Sequence, residues 1–400
     1  MNQVKKIYCR IFQKAFHLVI PILPYRQPKK VEQLADIPSI LKEKGVDRIL
    51  IVTDQGIRSH GLLEPLEKAL RENHIFYEIY DKTVANPTTD NVEETRELYL
   101  SKECQALIGF GGGSSMDCAK GVGARIARPG KSLGQMAGIL KVIKKLPLFI
   151  AVPTTAGTGS ETTLAAVITD AQTRHKYAIN DFPLIPDYAV LDPQITVSLP
   201  PFITATTGMD ALTHAVEAYI GNSTTRETRS YALKAVELIF GNLDKAYQNG
   251  EDLTARKNML TASYYAGCAF TQSYVGYVHA VAHSLGGQYN VLHGLANAVL
   301  LPYVVEAYGE SIDEKLHCLA MAVGIADRDT PAKQAATDFI QAVKDMKKRF
   351  GIGDKIKEIC KEDIPKLARY ADREANPLYP VPVLMDAKEL ELFYNKLLEE

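Results

Sequence analysis

No two of the six cysteines in this 400-residue chain form a C-x-x-C pair; they fall singly at positions 9, 104, 118, 268, 318 and 360. That scatter excludes a zinc knuckle and a disulfide framework, and a reducing cytoplasm is the expected compartment. Charge excess is lacking as well: 46 basic against 47 acidic residues leave a net charge of −1, so nothing electrostatic points to nucleic acid as a partner. No apolar run reaches the roughly 20 residues of a membrane span, and there is no internal repeat or low-complexity tract. Acidic residues are absent from the first 30 positions, where Lys5, Lys6, Arg10, Lys14, Arg26, Lys29 and Lys30 are basic.

Within that basic segment Ile7, Tyr8, Ile11, Phe12, Ala15 and Phe16 recur at helical spacing, which predicts a basic amphipathic helix over 4–20. Gln13, Lys14 and His17 interrupt the apolar run and no small-residue cleavage site follows, which argues against a secretory signal. A helix packed on the body or on a second subunit is the expectation, with a weak membrane-surface or partner-docking role as the alternative, and Pro21, Pro24 and Pro28 end it. With 46% hydrophobic residues the rest of the chain suffices for two domains. The expected division is an N-terminal extension over 1–30, an α/β domain over 31–200 and a helical domain over 201–400.

Arg48–Thr53, Ala106–Phe110 and Leu148–Val152 are short apolar, β-branched runs, separated by helical stretches at Leu62–Asn73 and Asn91–Cys104. This alternation implies a parallel sheet covered on both faces, with ligands at the carboxyl ends of its strands. Lys176–Ile179 and Tyr188–Leu191 read as further strands. After Ser198-Leu199-Pro200-Pro201 the period becomes helical throughout. The fold class is therefore α/β followed by all-α.

Three loops at strand ends suit a nucleotide. The run Ala106–Phe110 enters GGGSSMDCAK at 111–120, where adjacent glycines and a helix start favour a pyrophosphate. The spacing is not G-x-G-x-x-G, and a tight turn without a ligand explains it equally well. Leu148–Val152 enters PTTAGTGSETT at 153–163, whose hydroxyls and glycines form a polar surface open to phosphate, ribose or carboxamide, or a helix cap. Asp54 ends the first run; a carboxylate there accepts hydrogen bonds from both ribose hydroxyls and repels a 2′-phosphate, or simply caps a helix.

The stretch YVHAVAHSLGGQYNVLHGLAN at 277–297 holds three of the nine histidines. His279 and His283 are four apart, on one helical face, and Gly286-Gly287 is expected to punctuate the helix before His293. Upstream, Asp210 and His214 repeat the spacing. One carboxylate with two or three imidazoles is a ligand set for Fe²⁺ or Zn²⁺.

GGGSSMDCAK at 111–120, PTTAGTGSE at 153–161, DALTHAVEAY at 210–219 and the histidine stretch together resemble the iron-containing, or group III, alcohol dehydrogenases. The resemblance covers roughly residues 40–395 and implies a Rossmann-like domain followed by a helical domain, the dehydroquinate synthase-like fold, with NAD(P) and metal meeting in the cleft between them. It implies Asp210, His214, His279 and His293 as metal ligands, with Fe²⁺ favoured over Zn²⁺, and His283 beside the nicotinamide. It places the dinucleotide against Asp54, Asn86, Gly112, Gly113, Ser114, Asp117, Thr154, Thr155, Thr158, Thr163 and Lys176. Family members usually begin with a strand and a short Gly-containing turn, at the edge that commonly forms their dimer contact. Here the basic helix and YRQPKK occupy that region; a homodimer or higher homo-oligomer is still what the resemblance implies.

The expected reaction follows from chemistry alone. A Lewis acid beside a hydride acceptor makes an alcohol oxygen more acidic and lets hydride pass to NAD, or NADP; run backward, it reduces an aldehyde. His283 is then expected to accept the alcohol proton, directly or through a ribose hydroxyl, the four other groups sufficing for a metal with one open position; the alternative is that it only shapes the pocket or is itself a ligand. A small primary alcohol or diol is the expected substrate, apolar Phe270 helping to line its pocket. The alternatives are a dinucleotide- and metal-dependent lyase of the dehydroquinate synthase type and a non-catalytic dinucleotide-binding protein.

Overall fold

The computed structural model describes residues 1–398. The chain divides into two compact units, Pro24–Ser198, and Met1–Leu23 together with Leu199 onward. The first holds nine strands: β1 (Lys29–Val31), β2 (Arg48–Val52), β3 (Phe76–Tyr80), β4 (Ala106–Gly111), β5 (Gly138–Ile139), β6 (Leu148–Pro153), β7 (Ala165–Thr169), β8 (Lys176–Asn180) and β9 (Tyr188–Val190). Six form a sheet in the order β1-β9-β6-β4-β2-β3, parallel throughout. Its central strands are unbroken apolar runs because helices cover both faces. Ile49 and Ile51 point into a core with Ile37, Leu41, Leu66 and Leu70. Their neighbours Leu50 and Val52 point the other way, toward Val92, Met116 and Val122.

Four of the expected strands lie in this sheet, as β2, β4, β6 and β9. The fifth, β8, belongs instead to a separate three-stranded sheet, antiparallel to β7. The reason is local: Asp170 Oδ1 accepts from the backbone N–H groups of Gln172 and Thr173, and Arg174 takes φ 59°, so the chain doubles back. The basic Lys29-Lys30 segment forms an edge strand, both lysines exposed, a composition that discourages further strand pairing.

The chain passes from β2 to β3 on one side, then to β4 on the other, so the winding direction reverses between β2 and β4. The carboxyl ends of those two strands flank the crevice where such sheets bind ligands.

Among the described residues the second unit is helical. Its helix Pro201–Ile220 begins on the proline pair, as prolines favour. From Thr204 to Ile220 every residue but Thr207 is buried. The helices Arg226–Gln248, Leu253–Ser273 and His293–Tyr308 pack around it. The glycine pair does not punctuate its helix: Tyr277–Tyr289 runs through Gly286 and Gly287 and ends at Asn290, in the left-handed conformation with φ 55°. A helical glycine costs only about 1 kcal/mol, which the packing of Tyr277, Val278, Val281 and Leu285 offsets.

The helix Gly113–Ala127 is tied to the loop after β6 by the fully buried Lys120. Its ammonium donates to the carbonyls of Ser160, Thr163 and Ala165 at 2.7, 3.0 and 2.9 Å, and to the Thr163 hydroxyl at 2.8 Å. Burial pushes its pKa down to about 8, with Asp117 and Glu161 acting the other way. Lys120→Met leaves those oxygens without a donor, and we expect a loss of about 3 kcal/mol in urea unfolding of the α/β unit. A midpoint equal to wild type would show that the loop holds itself.

Candidate metal centre and dinucleotide cradle

Asp210 and His214 stand one turn apart on Pro201–Ile220, His279 lies on Tyr277–Tyr289, and His293 opens His293–Tyr308. One donor atom from each lies within 4.8 Å of the other three. Asp210 Oδ1 is 3.5 Å from His293 Nε2, and 3.9 Å from both His279 Nε2 and His214 Nδ1. Metal–ligand bonds of about 2.0–2.2 Å in a tetrahedral site place ligand atoms roughly 3.3–3.6 Å apart, so the set fits a first-row divalent ion with little movement. Asn297 supplies a second measure of fit. Its Nδ2 is 2.7 Å from Asp210 Oδ1, 3.0 Å from His293 Nε2 and 3.2 Å from His279 Nε2. Three lone pairs thus converge on one donor, the arrangement that a cation satisfies. Burial holds the His279 pKa well below its ordinary value, reinforced by the other three imidazoles, which keeps the ring in its neutral, ligating form.

Glu217, unassigned in the sequence reading, orients that ring. His279 Nδ1 donates to Glu217 Oε2 at 2.6 Å, leaving Nε2 to face the other donors. The same carboxylate accepts from the backbone N–H groups of Gly276 and Val278 at 2.9 and 2.8 Å. Burial pushes its pKa up to about 7 against those hydrogen bonds. Two glycines permit the approach: a Cβ at Gly276 would lie 2.7 Å from Glu217 Oε1, and one at Gly294 would lie 2.5 Å from the Thr206 carbonyl. The signal was present, since 210, 214 and 217 share a helical stripe and Asn297 lies four residues beyond His293.

His283 lies outside the four-donor cluster. Its exposed ring stacks on His293 at 5.1 Å, and Nδ1 donates to Glu374 Oε1 at 2.6 Å, which leaves Nε2 as the acceptor. Burial opposes ionisation of Glu374, but its pairing with His283 and the hydrogen bond from Tyr379 hold its pKa below the ordinary value. Phe270 stacks on His214 at 4.1 Å and 14°, an apolar wall against the donor set.

In the α/β unit the segments after β3, β4 and β6, with Lys176 of β8, bring several of the expected cofactor residues into contact. Gly111, at φ 150°, ends β4; Gly112 is the N-cap of Gly113–Ala127, and Ser114 lies in the first turn. The Asn86 N–H donates to Ser114 Oγ at 3.3 Å, and Asn86 Oδ1 accepts from Lys176 Nζ at 2.8 Å. Thr154 N–H donates to the Gly111 carbonyl, which ties the hydroxyl loop to the glycine turn. Thr155 Oγ1, 3.8 Å from a Cβ built on Gly112, is buried without a hydrogen-bond partner, a donor held ready for an acceptor at the turn. Thr158 packs on Gly113, and its Oγ1 accepts from Ser160 N–H.

Three other residues have structural partners. Asp54 caps the short helix Gln55–Ser59 through Ile57 N–H and accepts from Ser115 Oγ at 3.3 Å. The Asp117 carboxylate accepts from Ser160 Oγ and Val167 N–H; burial raises its pKa. Thr163 accepts from Lys120. Glu217→Ala should weaken divalent-metal affinity roughly 10–100-fold, read by chelator competition; an unchanged affinity would remove Glu217 from the site.

Comparison with known proteins identifies the family. A family model for iron-containing alcohol dehydrogenase matches residues 29–193, and one for the C-terminal part of the Fe-containing alcohol dehydrogenase family matches 204–398. NAD-dependent methanol dehydrogenase of Bacillus methanolicus is 37% identical over 84% of this chain and 88% of its own. 1,3-Propanediol dehydrogenase of Klebsiella pneumoniae is 36% identical over 91% and 94%. The solved structure of a 1,3-propanediol oxidoreductase superposes with a TM-score of 0.90 at 34% identity, covering 93% of this chain and 99% of that one. An alcohol dehydrogenase from Oenococcus oeni gives 0.88 at 32%, covering 93% and 100%. Two family models that span nearly the whole chain, and relatives of this identity and coverage, place it in the iron-containing alcohol dehydrogenase family.

Proposed function

We propose that this dehydrogenase moves hydride between a small primary alcohol or diol and NAD, and that it reduces the matching aldehyde in the reverse direction. The observation that carries the reading is the convergence of Asp210, His214, His279 and His293 within 4.8 Å, in a chain of this family. The relatives named above act on methanol and 1,3-propanediol, which supports a short substrate and gives no support to a lyase or a non-catalytic role. The proposed cytoplasmic location and homo-oligomeric state rest on the family and on the scattered cysteines; no described helix is long and apolar enough to cross a membrane.

When bound, iron(II) supplies Lewis acidity and the nicotinamide the hydride acceptor. The protein's own residues do the rest. Asp210, His214, His279 and His293 hold the ion, and Glu217 sets the tautomer of His279. Phe270 and the His214 ring beside it favour a short aliphatic chain. His283, its Nδ1 proton engaged by Glu374, accepts the alcohol proton at Nε2. In the α/β domain Gly112, Gly113 and Ser114 take the pyrophosphate at a helix start. Thr154, Thr155 and Thr158 border it, Asn86 and Lys176 close one side, and Asp117 and Thr163 act by holding the loop. Asp54 faces the ribose.

His214→Ala should lose the bound iron. His283→Ala should retain it, with kcat lower by about 10²–10⁴. Metal analysis beside steady-state NADH formation separates the two roles: metal lost from His283→Ala makes that residue a ligand, and full activity removes it from the reaction. Asp54→Asn keeps the helix cap while removing the charge, so it should narrow the preference for NAD over NADP through the cofactor KM. Equal KM ratios in variant and wild type would place Asp54 away from the ribose.

A further inference from the structure

The helix Gln3–Val19 docks with its polar side inward. Gln13 is buried, its Nε2 donating to the Tyr379 carbonyl at 2.7 Å, and Arg10 donates to the carbonyls of Val381 and Pro382 at 2.7 and 2.6 Å. Lys5 pairs with Asp372 at 2.7 Å, and Phe16 meets Tyr274 edge-on. The opposite face, turned to solvent, is apolar: Val4 is 78% exposed, Ile7 51%, Ile11 62% and Leu18 77%, with Tyr8, Phe12 and Val19 between them. Just past the helix, Ile22 is 80% exposed.

A helix present only to pack would bury that face. A continuous apolar stripe left in water marks an interaction surface. Lys14 borders it, in no ion pair among the described residues, and residues 1–30 contain no carboxylate side chain. Both family models leave residues 1–28 unmatched, so the stripe is no part of what they describe.

Charge chooses the occupant. Two copies of this helix face to face would bring Lys14 of each to the rim of the shared stripe, with no carboxylate on either helix to meet it. An anionic lipid surface instead receives the apolar stripe among its acyl chains and Lys14 among its headgroups. We propose that Gln3–Val19 lies in the interfacial layer of an anionic membrane and holds this otherwise water-facing enzyme at its surface.

The test uses the full chain in flotation with vesicles of equimolar phosphatidylcholine and phosphatidylglycerol, beside vesicles of phosphatidylcholine alone. The protein should float with the anionic vesicles and stay behind with the neutral ones. The Ile7→Asp/Ile11→Asp double variant should lower the bound fraction at least about tenfold, and Lys14→Glu should lower it in part, both with wild-type melting temperature and dehydrogenase activity. Absence of flotation with anionic lipid, or flotation indifferent to the double variant, overturns the proposal. So does a fall in solution mass of the double variant by light scattering, which would make a second copy the occupant.

Discussion

A hydrophobic helix with three polar side chains on one stripe is the constraint on which the helical domain depends. Pro201–Ile220 is buried almost all round, yet carries Asp210, His214 and Glu217 at positions i, i+4 and i+7. Leaving such groups unsatisfied in an apolar interior costs several kcal/mol each, on the order of 2–7 kcal/mol for a neutral polar group and more for a charge. The surrounding helices are arranged to avoid that cost. Tyr277–Tyr289 brings its first turn, with two backbone N–H groups and His279 Nδ1, onto Glu217. His293–Tyr308 approaches close enough at Gly294 for Asn297 to reach Asp210. Glu217 is thus satisfied by protein alone, whereas the imidazole nitrogens around Asp210 form a donor set that could hold a cation. One stripe serves the fold at one end and the chemistry at the other.

The α/β domain meets the opposite problem if, as proposed, it holds the anionic pyrophosphate of a dinucleotide. Its answer uses backbone and hydroxyls rather than charged side chains: a glycine turn at the end of β4, a helix start behind it, and a loop of threonines. The one fully buried ammonium among the described residues of that domain, Lys120, is spent on carbonyls of the loop itself. It holds Ser160, Thr163 and Ala165, the far end of the loop that carries Thr154, Thr155 and Thr158, so the domain's buried positive charge acts on the loop's geometry.

Much of this was legible in the sequence because it is periodic. Helical i,i+4 spacing marks Asp210–His214 and His279–His283, and apolar runs mark β2, β4, β6 and β9. What stayed hidden depends on long-range partners. Glu217 reads as an ordinary helical acid until the chain reversal after Ser273 brings Gly276 and Val278 onto it. Strand β8 has the composition of its neighbours, and only the turn at Asp170–Arg174 pairs it with β7 instead. Gly286-Gly287 weakens a helix too little to break one whose other face is buried. The periodicity of residues 4–20 gives two faces without saying which is inward.

That last ambiguity has a physical resolution in the segment on which the helix rests. Residues 376–385 lack regular structure, so their carbonyls need donors from elsewhere, and an apolar helix face could not supply them. Gln13 and Arg10 donate to the carbonyls of Pro377, Tyr379, Val381 and Pro382. Tyr379 in turn donates its hydroxyl to Glu374 Oε1 at 2.7 Å, the same oxygen that accepts from His283 Nδ1. The polar side of the helix therefore faces inward because the backbone supporting His283 requires donors, and the apolar side faces outward as a consequence. Removing the helix would leave those carbonyls short of partners and loosen the support of His283, even though no atom of Gln3–Val19 belongs to the metal centre.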